Sequence, residues 1–157
     1  MVAGINIGKN TGLGYVLSSG TVGACLEANI AGVPGVAFSQ EVARDVYRYW
    51  NEHREIPEDA GVRLSPRLRE FISDAYDLLS IRADFPKDPV TWNFNFPSRP
   101  ADNCELKKAK IGHTFYGSYF DDYDGVFSHA RQLDQPIFQR SIFQILFFLF
   151  YCSRRLC

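Results

Sequence analysis

Residues 2–39 read VAGINIGKNTGLGYVLSSGTVGACLEANIAGVPGVAFS, and this stretch decides the fold. Its first residues, 1–5, are apolar and predict a strand. Residues 6–18 hold Gly8, Gly12 and Gly14 among polar side chains. They predict a loop, because glycine reaches positive φ without penalty. Ser18 or Ser19 then caps a helix over residues 20–31, with Gly32 just past its end and Pro34 beyond. Only Glu27 and Asn29 are strongly polar in that helix, so it is expected to be buried on most sides. Residues 35–39 (GVAFS) have the pattern of a buried parallel strand. Strand, helix and strand make one right-handed βαβ unit with a polar, backbone-rich rim.

Working outward, residues 40–51 predict a helix with Val42, Val46, Tyr49 and Trp50 on one face. Residues 52–62 are polar, contain Pro57 and Gly61, and read as a surface loop. Ser65-Pro66 gives an N-cap followed by proline at the first helical position, so a helix is expected over 66–81. Leu68, Phe71, Ile72, Ala75, Leu78 and Leu79 form its apolar face. Residues 90–96 (VTWNFNF) alternate: Thr91, Asn93 and Asn95 face one way, Val90, Trp92, Phe94 and Phe96 the other. A loop over 98–110, a strand around 111–119 and an acidic turn at 121–125 follow. Residues 142–151 (IFQILFFLFY) are apolar but too short to span a bilayer, which takes about 20 residues. They suit a buried helix or strand, an oligomer contact or an aberrant terminus.

A chain of 157 residues suits one domain. Its 17 basic and 18 acidic residues give a net charge of −1, so charge makes no case for nucleic acid or an anionic membrane as partner. Cys25, Cys104, Cys152 and Cys157 are scattered, and His53, His113 and His129 form no ligand-spaced cluster. A zinc site is not expected, Cys25 reads as a small packing residue, and a reducing cytoplasm is the default compartment. The N-terminus lacks a signal-peptide pattern.

Two chemistries fit the rim. Gly8, Gly12 and Gly14 spell GxxxGxG, with Glu41 as a ribose ligand, the loop of an NAD(P)-binding short-chain dehydrogenase. Such enzymes carry a YxxxK pair, and no tyrosine here has lysine four residues on. The other chemistry is phosphate capture by Ser19, Gly20 and Thr21, whose hydroxyls and N–H groups sit at the positive end of a helix dipole. A plain N-cap role for Ser19 accounts for the same residues. Asp121 and Asp122 read as solvated turn acids, and His113 and His129 as ordinary histidines.

The stretch GIN-x-G-x-N followed by SSGTVGACLEANIAGVPGVAFS resembles the survival protein SurE family, whose pattern is SGIN-x-G-x-N-x-G, then YSGTV-x-A-x-E, then LP-x-IA-x-S. TWNFNFP (91–97) is similar to that family's NVN-x-P strand. The resemblance covers residues 1–134 as a partial SurE-like domain and leaves 135–157 as an atypical Phe-rich tail. It implies an α/β fold of Rossmann-type three-layer architecture with a mostly parallel sheet. It also implies metal-dependent hydrolysis of nucleoside monophosphates or other phosphomonoesters, with Mg²⁺ or Mn²⁺ as cofactor and association into a homo-oligomer. Carried over by position, Asn6 is the metal ligand, Ser19, Gly20 and Thr21 cradle the phosphate, and Asn10 shapes or lines the pocket. The family's TNDDG segment, which holds the metal, has no counterpart here. The expected chain is therefore N-terminally truncated, with the helix at 20–31 and the strand at 35–39 left without a covering layer. The weight of the reading is against turnover by this chain alone, and the alternative is a non-catalytic remnant that binds phosphate.

Overall fold

The computed structural model describes residues 1–82, 85–98, 104–115, 120–129, 138–140 and 148–152. In chain order the elements are β1 (Val2–Ile7), α1 (Leu13–Ser18), α2 (Gly20–Ile30), β2 (Gly35–Gln40), α3 (Arg44–His53), α4 (Glu58–Ser80) and β3 (Thr91–Phe96). The short strands β4 (Leu106–Ala109), β5 (His113–Phe115), β6 (Phe120–Tyr123), β7 (Val126–His129) and β8 (Phe138–Arg140) follow, then β9 (Phe148–Cys152). One sheet runs β1-β2-β3-β9-β4; its first four strands are parallel and β4 is antiparallel to β9. Two small antiparallel pairs, β5-β8 and β6-β7, stand apart from it. The architecture is the mostly parallel α/β sheet that the sequence leads one to expect.

The strand pleat sorts the core into two layers. Trp92, Phe94 and Phe96 of β3 and Val36 and Phe38 of β2 meet Phe71, Ala75 and Leu79 of α4. Apolar groups of this size contribute about 1.5–3 kcal/mol each when fully buried. On the opposite face Ala37 packs with Val16, Val22 and Cys25 of the two short helices. Here the side chains are small and the backbones approach closely. A Cβ on Gly35 would lie 2.5 Å from Cys25 Cβ and 3.0 Å from its Cα, so only glycine lets α2 sit this low on β2. Burial pushes the Cys25 thiol pKa above its ordinary value.

Several elements differ from their sequence reading. The segment read as a loop over 6–18 continues β1 to Ile7 and forms the short helix α1 at Leu13–Ser18, entered through Gly12 at φ +83°. The helix read as buried on most sides buries only Val22 and Cys25, and Ile30 is 82% exposed. Its Gly and Ala positions make it apolar while giving it little bulk to bury beyond its contacts with the sheet and α1. The expectation that residues 35–39 lose their covering layer is overturned: every position of β2 is buried, flanked by β1 and β3 and covered on both faces. Apolar exposure falls on α2, at Ile30, and on the sheet edge, at Val2 (68%) and Ile5 (41%) of β1.

The helix expected to start at Ser65-Pro66 starts at Glu58, so the surface loop over 52–62 is shorter than expected and Pro66 lies inside α4. Glu58 and Asp59 favour the earlier start by complementing the dipole, and Asp59 accepts from Arg63 one turn on at 2.7 Å. Ser65 does not cap; its hydroxyl donates back to the Gly61 carbonyl at 2.8 Å. The helix expected over 40–51 begins at Arg44, because Gln40 completes β2.

All six positions of β3 are buried, polar and apolar alike. The loop expected over 98–110 contains β4, and the strand expected over 111–119 is β5, with 116–119 outside the described residues. The acidic turn is a hairpin. Only Asp124 and Gly125, with φ of 51° and 81°, form its bend, and Asp122 accepts from Gly125 N–H at 2.7 Å. Of the apolar run over 142–151, residues 142–147 lie outside the described residues and β9 enters the sheet between β3 and β4. Cys25 is a free, buried thiol and Cys104 is disulfide-bonded.

Candidate functional site

A polar row crosses the carboxyl edge of the sheet, where open α/β folds bind ligands. Asn6 of β1 pairs with Ser39 of β2, which pairs with Asn95 of β3. Paired residues share a face, so the three side chains stand side by side. The row depends on a β-bulge. Ala3 pairs with Ala37 and Asn6 with Ser39, so β1 spends one extra residue between these pairs. Gly4 sits at the bulge with φ +120°, where a Cβ would collide with the Phe38 carbonyl oxygen. Without the extra residue Asn6 would face the other side of the sheet.

Beneath the glycine-rich loop lies a buried polar cluster. Asn10 is 6% exposed, and its backbone is clamped from below. Its N–H donates to Asn95 Oδ1 at 2.8 Å, and its carbonyl accepts from Asn93 Nδ2 at 2.9 Å and Asn95 Nδ2 at 3.4 Å. Asn10 Nδ2 donates to Ser39 Oγ at 3.0 Å. Two asparagine amides thus do for the loop what a neighbouring strand would do, supplying an acceptor for its N–H and donors for its C=O. Among the described residues no buried side-chain nitrogen or oxygen lacks a partner.

The helix terminus faces the same edge. Because β1 and β2 are parallel and α2 connects them, α2 runs antiparallel to both and its N-terminus returns to the carboxyl edge. Ser19 is the N-cap, and its Oγ accepts from Val22 N–H at 3.2 Å. The N–H groups of Gly20 and Thr21 precede the first intrahelical bond and have no carbonyl to reach within the helix. The Ser19 hydroxyl keeps its own proton to donate. The N-cap role and the anion-binding role are therefore compatible in one side chain.

The sequence-derived residues fall into two groups. Ser19, Gly20 and Thr21 lie at the α2 terminus with donors available. Asn10 is committed to the loop cluster and braces it from within. Asn6 Nδ2 donates to the Gly8 carbonyl at 3.0 Å, which leaves Oδ1 as the acceptor of that amide. The glutamate considered as a ribose ligand is engaged otherwise: Glu41 pairs with Lys9 at 2.7 Å and accepts from Ser98 N–H at 3.3 Å. Asp122 lies on β6 and accepts from the hairpin bend, while the side chains of Asp121, His113 and His129 lie outside the described residues. Ser39, Asn93 and Asn95 had no assigned role in the sequence. The signal for Asn93 and Asn95 was polar residues at every second position of a strand otherwise made of Trp and Phe; Ser39 had no such signal.

Mg²⁺ and Mn²⁺ take several hard oxygen ligands, carboxylates foremost. The row offers one free neutral oxygen, Asn6 Oδ1, and among the described residues no three His, Cys, Asp or Glu side chains come together as a metal site. These residues do not by themselves fit the metal.

The protein-family model described as Survival protein SurE matches residues 1–118. A protein named 5'-nucleotidase SurE from Methanobrevibacter smithii is 34% identical over 121 residues, covering 74% of this chain and 42% of that protein. Its namesake from Methanothermobacter thermautotrophicus is 30% identical over 116 residues, 74% of this chain and 41% of that protein. A third, from Methanopyrus kandleri, is 38% identical over 116 residues, 74% of this chain and 40% of that protein. The chain thus spans about two fifths of the length of these relatives.

Proposed function

The chain belongs to the survival protein SurE family, and from that premise we propose that it forms the phosphate-binding side of a site for nucleoside monophosphates and related phosphomonoesters. The observation that carries this reading is the α2 terminus. There the Gly20 and Thr21 N–H groups and the Ser19 hydroxyl converge at a helix dipole, beside a loop held rigid by Asn93 and Asn95. A phosphate dianion is stabilised by oriented donors of this kind without reorganisation. The names of the relatives support a nucleotide substrate.

Hydrolysis requires a water to be activated and the leaving oxygen to be neutralised. In the family reading a divalent cation supplies this, and Asn6 would contribute one ligand. The only carboxylate described beside the row, Glu41, is held by Lys9 and Ser98. Among the described residues the donors for a phosphate are present and the carboxylates for a metal are not, so phosphate binding without turnover is the reading these residues support; the metal-dependent reaction needs further oxygen donors. A soluble, cytoplasmic homo-oligomer is part of the same reading. Among the described residues no helix is long and apolar enough to cross a membrane.

The test is paired. Inorganic phosphate should raise the melting temperature of the chain, by an amount that grows with concentration as mass action requires, and Thr21→Val should abolish the shift. Phosphate release from AMP in the presence of Mn²⁺ should stay at background. Turnover that is lost with EDTA and with Asn6→Ala would show a complete catalytic site instead. Absence of any phosphate-dependent shift would overturn the binding reading.

A further inference from the structure

On the aromatic face of the sheet, opposite the polar row, a cavity of about 380 Å³ opens between the ends of β2 and β3 and the helices α3 and α4. Its volume lies toward the small end of ligand sites, roughly 300–1,000 Å³. Val46, Ala60, Leu64 and Phe71 make apolar walls. Polar groups enter at a few points only: Gln40, Asp45, Arg63, Arg67 and Ser98.

Gln40 is the informative one. It is 5% exposed, and its Nε2 lies against the carbonyls of Glu41 at 2.6 Å, Pro97 at 3.1 Å and Phe96 at 3.4 Å. Three carbonyl neighbours fix the amide orientation, since a flipped amide would set oxygen against oxygen. Its Oε1 accepts no hydrogen bond from the described residues, and it is not sealed off, because no buried side-chain oxygen among them lacks a partner. A buried amide thus offers an acceptor to the cavity it lines.

The charges indicate a neutral occupant. Arg63 is paired with Asp59 and Arg67 with Glu70, so neither guanidinium is an uncompensated cation. Arg67 lies over one face of the Phe71 ring at 4.9 Å and Phe96 stacks on Phe71 at 5.2 Å, so the flat surface left to a second group is the outer face of the part-exposed guanidinium. Asp45 adds a further acceptor at the rim.

We propose that this cavity binds a flat, uncharged heteroaromatic ring carrying an amino group, stacked on the Arg67 guanidinium with the amine donating to Gln40 Oε1: the chemistry of an adenine or cytosine base. Ser39 and Gln40 are consecutive, one turned to the polar row and the other to the cavity, so the two sites meet at one strand end. The base could belong to a nucleotide whose phosphate lies across the sheet edge, which rests on the phosphate reading above, or to a free nucleoside, which does not.

Titration calorimetry on the full chain tests this with adenosine, inosine, AMP and inorganic phosphate. Adenosine should bind with a Kd of about 1 mM or tighter, and inosine, with oxygen in place of the amine, about tenfold or more weakly. Leu64→Trp, which fills the cavity from an outward helix position, should weaken adenosine binding about tenfold or more and leave phosphate binding unchanged. Should that variant not fold, NOEs from the adenine protons to the Val46 and Leu64 methyls in the unmodified chain take its place. No adenosine binding, equal binding of inosine, retention of binding in a folded Leu64→Trp, or NOEs confined to α2 would each overturn the proposal. AMP binding tighter than adenosine, and reduced to adenosine's level by Thr21→Val, supports the site as the base end of a nucleotide. Equal affinities support it as a nucleoside site. Failure of phosphate alone to bind, with adenosine still bound, removes the phosphate reading and leaves this one standing.

Discussion

Single atoms decide several positions. Gly35 and Gly23 make a matched pair, because one has Cys25 against its missing Cβ and the other has nothing within 4 Å. Gly35→Ala should cost about 1–3 kcal/mol through overpacking. Gly23→Ala, inside α2, should gain about 0.5–1 kcal/mol from helix propensity. Urea midpoints of the two variants, moving in opposite directions, check both. Cys25 gives a pH expectation. Its folded pKa is raised, first by burial, so the native state holds the neutral thiol. Its contribution to stability is complete below the ordinary thiol value and is lost as pH rises through the folded one. At about pH 8.5, iodoacetamide should leave the peptide containing Cys25 unlabelled in the native chain and label it in urea, as read by peptide mass. Asn93 and Asn95 were legible as one face of a strand, but their work was not. A hydrogen bond from β3 to Asn10, more than eighty residues away in the chain, has no local signature.

Among the elements, local signals succeeded where they agreed and failed where two competed. Gly32, at φ +75°, ends α2 as its sequence suggests. Ser65-Pro66 is the strongest local start signal in the chain, yet α4 runs through it. The earlier turn brings Ala60 into the interior at 2% exposure and places Arg63 and Leu64 along the cavity wall, and tertiary packing outweighs a proline whose missing N–H lies at the surface. Pro66→Ala should therefore stabilise the chain, by up to about 3 kcal/mol. The check is a higher melting temperature with unchanged adenosine affinity. A lower melting temperature would mean that the proline is fixed by contacts of its own.

For the molecule as a whole, the sheet has a long exposed edge in β1, with Val2 and Ile5 open to solvent and one row of backbone groups unpaired by any described strand. Such an edge favours strand pairing between chains. Light scattering after gel filtration should show concentration-dependent association, and Ile5→Lys should reduce it without changing the far-UV CD spectrum. Sequence alone determined the βαβ unit, the helix terminus at Ser19 and the parallel character of the sheet, because glycine, capping and hydrophobic periodicity act within a turn or two of the residues that carry them. Tertiary structure alone decided that Asn6, Ser39 and Asn95 form one row, that Asn93 and Asn95 hold the loop, and that Gln40 opens onto a cavity. Those outcomes depend on strand register and on a one-residue bulge, and register is set by contacts between segments far apart in the chain.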